Sequence, residues 1–95
     1  MTETFKACAV IPVYDHERAV GRVVAELARN ALPIILVDDG SGASCARELQ
    51  CLASSTPGVT LLRLPVNRGK GAAVTAGLTA AQEAGCTHAL QVDAD

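Results

Sequence analysis

Four short stretches of the chain carry residue types suited to a charged ligand, and each lies where an apolar run gives way to polar residues. In "VDAD", Asp93 and Asp95 stand one residue apart. Alternate side chains of a strand share a face, so both carboxylates are expected on one side, with Ala94 turned away. Such a pair can hold a hard divalent cation, Mg²⁺ or Mn²⁺, through oxygen, leaving positions for water and phosphate oxygens. The cation would offset the charge of a diphosphate leaving group. The same spacing also fits a solvated acidic strand end. "VDDGS" sets Asp38 and Asp39 before Gly40 and Ser41. A carboxylate there can accept a hydrogen bond from a nucleobase N–H or a ribose hydroxyl, or it can close a turn.

"NRGKG" (67–71) has the make-up of a phosphate cradle, with glycines exposing backbone N–H groups before a helix and Lys70 and Gly71 beside them. It is not a Walker A loop, because Leu64 stands where that pattern needs its first Gly and Gly71 where it needs Ser or Thr. The fourth stretch is "IPVYDH" (11–16). Pro12 and Tyr14 can form an apolar wall against a base, and Asp15 can cap the next helix or touch the ligand. No G-x-G-x-x-G follows this first apolar run, which disfavours NAD.

The elements that must position these residues alternate in type. "ACAVIPVY" (7–14), "PIILVDDGS" (33–41), "VTLLRLP" (59–65) and "THALQVDAD" (87–95) read as strands, the first two as strands covered on both faces. Between them, Val20, Val23, Val24, Leu27 and Ala31 fall at helical spacing over 17–30. A second helix is expected over 44–54, with Ser44 as N-cap and Cys45, Leu49 and Leu52 facing inward. A third runs through "AAVTAGLTAAQEAG", whose small residues permit close packing and which Gly85 ends. The order βαβαβαβ predicts an α/β fold, a mainly parallel sheet with helices on both faces. All four polar stretches then fall at the carboxyl ends of strands, where open α/β sheets bind ligands.

Composition narrows the partners. The 95 residues amount to one domain at most, and a 49% hydrophobic content, mostly Ala, Val and Leu, supplies an aliphatic core. With 8 basic and 10 acidic residues the net charge is −2, which argues against nucleic acid. The four cysteines form no C-x-x-C pair and suggest no metal site. No apolar stretch is long enough to span a bilayer, and the expected location is cytoplasmic, with membrane association of a longer protein left open.

Taken in order, "IPVY", "ILVDDGS", "NRGKGAAVTAG" and "VDAD" resemble the N-terminal half of a family 2 glycosyltransferase of the GT-A, Rossmann-like fold. The branch most similar contains dolichyl-phosphate mannose synthase-like and polyprenyl-phosphate sugar transferases. The resemblance runs from Lys6 to Asp95 and departs after the tyrosine, where relatives carry Asn-Glu and this chain has Asp15-His16. It implies a nucleotide-sugar donor, UDP- or GDP-linked, and inverting transfer to an acceptor that the sequence does not identify. It also implies a nucleotide pocket of Pro12, Tyr14, Asp15, Asp38, Asp39, Lys70, Gly71 and Asp93. Asp39 would read the base and Asp38 support the turn. Asp93 and Asp95 would hold Mg²⁺ or Mn²⁺.

The family's catalytic base lies beyond D-x-D. Residues 1–95 are therefore expected to be a partial domain, truncated at that motif, which binds donor nucleotide but is inactive alone. By analogy the strand order is 3-2-1-4, leaving 87–95 as an open edge through which the chain self-associates. A nucleotidyltransferase half is an alternative, although "IPVYDH" lacks the Gly-rich, basic opening of that class. A non-catalytic nucleotide- or metal-binding module is another.

Overall fold

The computed structural model describes residues 5–94. The elements follow the expected alternation: β1 (Ala7–Val13), α1 (Glu17–Arg29), β2 (Ile34–Asp39), α2 (Ala43–Ser55), β3 (Val59–Leu64), α3 (Lys70–Glu83) and β4 (His88–Gln91). The strands form one parallel sheet in the order β3-β2-β1-β4.

The pleat divides the core in two. Ala9, Ile11 and Val13 of β1, with Ile34 and Leu36 of β2, pack against Val20 and Val24 of α1 and Cys45 and Leu49 of α2. On the opposite face Cys8, Val10, Ile35 and Val37 meet Ala73 and Ala81 of α3. Helices thus cover both faces, and β1 and β2, buried on both, read as unbroken apolar runs.

α3 lies close to the sheet because it presents small residues. A Cβ added at Gly77 would overlap Cγ1 of Val10 and stand 3.0 Å from Cγ2 of Val37. Gly77→Ala gains about 1 kcal/mol of helix propensity but must push two buried valines apart, an overpacking cost of about 1–3 kcal/mol. The variant is expected to lose about 1 kcal/mol net in urea denaturation; a stability equal to or above the parent's would show that the helix can lift off the sheet without penalty.

Three of the boundaries that differ from the sequence reading have a visible cause. α2 begins at Ala43 with Gly42 as N-cap, so Ser44 lies within the first turn and caps nothing. α3 begins at Lys70, two residues earlier than expected, because Gly69 at φ 99° lets the loop turn directly into the helix. Its end is as anticipated: Gly85 at φ 85° accompanies the Gly85 N–H bond to Gln82 O and the Cys86 N–H bond to Ala81 O, a Schellman motif. The largest difference is β4, a four-residue strand rather than one spanning 87–95. β1 and β4 pair from Ala7↔His88 to Val10↔Gln91, and the Val92 N–H still bonds Val10 O at 3.0 Å. In that register the next donor is the N–H of residue 12, and Pro12 has none. The ladder therefore stops, and Asp93 leaves the sheet on an irregular segment while Ala94 is buried in the α1/α2 face of the core.

Candidate functional site

At the carboxyl edge of the sheet, beside the point where strand order reverses between β1 and β4, lies a cleft of about 460 Å³. Parallel α/β sheets bind ligands at such a position. It is lined by Pro12 and Val13 at the end of β1, Tyr14 and His16 after it, Asp39 of β2, Asn67, Gly69 and Lys70 before and at the start of α3, and Asp93 and Ala94 after β4.

The two aspartates ending β2 do different work because adjacent strand residues point to opposite faces. Asp38 is fully buried; its Oδ1 accepts the Ser41 N–H at 2.8 Å and its Oδ2 accepts a hydrogen bond from Arg63 Nη1 at 3.1 Å. It holds the turn. Asp39, 3% exposed, reaches across to the Gly-rich loop. Its Oδ1 accepts the Arg68 N–H at 2.8 Å, and its Oδ2 accepts the Gly69 N–H at 2.9 Å and Asn67 Nδ2 at 3.0 Å. Asn67 Nδ2 also donates to Asp39 O. One carboxylate therefore gathers three donors and fixes the shape of residues 67–69. A carboxylate has about four lone-pair sites, and the described residues fill three of them, one on Oδ1 and two on Oδ2.

The loop after β1 is stapled to the loop after β2. Asp15, at φ 55°, donates its N–H to Ser41 Oγ at 3.1 Å and accepts the Gly42 N–H on Oδ1 at 2.9 Å. This leaves Tyr14, half exposed, on the wall of the cleft beside Pro12.

Across the cleft, Lys70 Nζ donates to Asp93 Oδ1 at 2.7 Å, and Gln91 Nε2 approaches the same oxygen at 3.3 Å. The hydrogen bond from Lys70, and then its charge, hold the Asp93 carboxyl below its ordinary range.

Of the residues picked out in the sequence, Pro12, Tyr14, Asp39, Lys70 and Asp93 line one cleft. Asp15, Asp38 and Gly71 do not: the first two are turned into loop hydrogen bonds, and Gly71 faces solvent on the first turn of α3. Asp95 lies outside the described residues. Val13, His16, Asn67 and Ala94 are lining residues that the sequence reading did not pick out. Asn67 had the clearest signal, an amide directly before the Arg-Gly of a loop that must be pinned.

Among the described residues the cleft offers a cation one rim carboxylate, Asp93, which Lys70 already engages, so a hard cation bound there would take its remaining ligands from water or phosphate. A separate group, Asp15, Glu17 and Cys45, brings its donor atoms within 4.8 Å of one another away from the cleft lining, with Asp15 Oδ1 already bonded to Gly42.

The model of the family described as "Glycosyl transferase family 2" matches residues 8–95. Two curated proteins of Trichomonas vaginalis are similar. Dolichyl-phosphate beta-glucosyltransferase ALG5C is 35% identical over 90% of this chain and 28% of its own length. Dolichyl-phosphate beta-glucosyltransferase ALG5A is 29% identical over 90% of this chain and 29% of its own. The chain thus spans less than a third of the length of either relative.

Proposed function

Because the chain belongs to glycosyl transferase family 2, we propose that the cleft takes the nucleoside diphosphate of a nucleotide-sugar donor. The supporting observation is the convergence of four strand ends on one cleft, where the Asp39-anchored loop leads directly into Lys70, which meets Asp93. Pro12 and Tyr14 would flank the base, and the remaining acceptor site of Asp39 would take a base N–H. The backbone of 67–70, held open by Asp39, would lie along the phosphates with the Lys70 ammonium as their counter-charge.

Asp93, together with Asp95, would hold Mg²⁺ or Mn²⁺, which when bound offsets diphosphate charge. In transfer, an acceptor oxygen forms its bond to the anomeric carbon as the bond from that carbon to the diphosphate oxygen breaks. The configuration inverts, and the nucleoside diphosphate departs with the bonding pair. The names of the two relatives favour a lipid phosphate as acceptor and glucose as the sugar.

The test is thermal denaturation of the chain with UDP, GDP and CDP, each with and without Mn²⁺, beside Asp93→Asn. One nucleotide is expected to stabilise, by about 2.7 kcal/mol at a hundredfold excess over Kd, or on the order of 10 °C in Tm. Asp93→Asn should lose the Mn²⁺-dependent part and keep the rest. A folded chain whose Tm moves with none of the three nucleotides overturns the proposal.

A further inference from the structure

We propose that Lys70 is the internal counter-ion of Asp93 and that a divalent cation must displace it, so that cation and nucleoside diphosphate enter the cleft as a coupled pair. The inference rests on the donor-site reading above and deepens it by assigning how the two ligands depend on each other.

Four observations carry it. Lys70 Nζ sits 2.7 Å from Asp93 Oδ1, where the ammonium takes the carboxylate's charge for itself. The Lys70 and Asp93 side chains are 61% and 56% exposed, so the contact lies on the rim with room to open. Around them the frame is fixed. Gly69, the residue before Lys70, is tied to Asp39, and Gln91 braces the same Asp93 oxygen. Asp93 Oδ2 has no partner among the described residues, whereas each carboxylate oxygen of Asp39 accepts at least one protein donor.

The electrostatics give the coupling its sign. A free dication approaching Asp93 meets an ammonium at hydrogen-bond distance from the same carboxylate, and like charges at a few ångströms still repel in a water-like dielectric, though modestly. Breaking the contact with no new acceptor leaves Lys70 without a charged partner. A diphosphate changes this, because its oxygens can accept the three ammonium donors while it brings the cation to Asp93. Exposed ion pairs contribute little to stability, and that makes this one readily exchanged. Each ligand therefore prepares the site for the other, and linkage requires the effect to be reciprocal.

The experiment measures Mn²⁺ binding by electron paramagnetic resonance and calorimetry, alone and with saturating UDP or GDP, for the chain, Lys70→Met, Lys70→Arg and Asp93→Asn. The unsubstituted chain should bind Mn²⁺ weakly alone and on the order of tenfold or more tightly with its nucleotide. Lys70→Met should bind Mn²⁺ alone about fivefold more tightly, bind the nucleotide more weakly, and show a correspondingly smaller coupling. Lys70→Arg, which keeps the charge, should retain it. If the chain binds Mn²⁺ and nucleotide together while Lys70→Met binds Mn²⁺ alone no more tightly, the counter-ion role is overturned and the donor site stands. If the chain binds neither, the donor reading fails and this inference with it.

Discussion

Asp39→Ala is expected to destabilise the fold by about 3 kcal/mol and to abolish nucleotide binding. The carboxylate accepts from the Arg68 and Gly69 backbone and from the Asn67 amide, all at 3.0 Å or less. Hydrogen bonds to a charged group contribute roughly 1.5–3 kcal/mol each, but the freed donors sit beside an open cleft where water can reach them, so the sum is discounted. Asp39→Asn separates charge from geometry. Whichever way its amide is turned, an NH₂ faces either the Arg68 N–H or the pair of donors from Asn67 and Gly69. The isostere should therefore destabilise nearly as much as alanine, by about 2 kcal/mol. Urea denaturation checks stability and nucleotide titration checks binding. An Asn variant as stable as the parent would mean that the loop holds its shape without the carboxylate.

The sheet was legible in the sequence because parallel strands covered on both faces leave continuous apolar runs. "AVIPV" and "IILV" could hardly be anything else, and the small residues of α3 announced a helix close to a sheet. The site was legible as positions but less so as roles. Asp38 and Asp39 are neighbours in sequence, and only the register of β2 against β1 and β3 decides which faces Arg63 and which faces the loop. The early end of β4 depends on Pro12 lying opposite it, 80 residues away in the chain. Lys70 and Asp93 meet because α3 crosses the sheet to deliver β4 beside β1, a consequence of topology that no local pattern encodes.

Gly40→Ala should be the most damaging single-methyl change in the chain, with a loss of about 3–4 kcal/mol. Two penalties coincide at this position. Gly40 adopts φ 71°, which costs an alanine roughly 1–2 kcal/mol. Its added Cβ would also overlap the backbone at Asn67 N and Val66 C, atoms that cannot rotate aside as a side chain would. Relief requires moving the loop, and overpacking of that kind costs about 1–3 kcal/mol more. Gly58 provides the control, because it has φ 84° and nothing within 4 Å of an added Cβ. Gly58→Ala carries the conformational cost alone, so the difference between the two variants isolates the contact between the β2 turn and the 66–67 backbone. That contact also sets where Asn67 meets Asp39, so Gly40→Ala should weaken nucleotide binding, whereas Gly58→Ala, at the opposite end of the sheet, should not. Equal losses in the two variants would show that the close approach of the two loops carries no strain. The cleft would then be shaped by the Asp39 hydrogen bonds without help from the missing side chain at position 40.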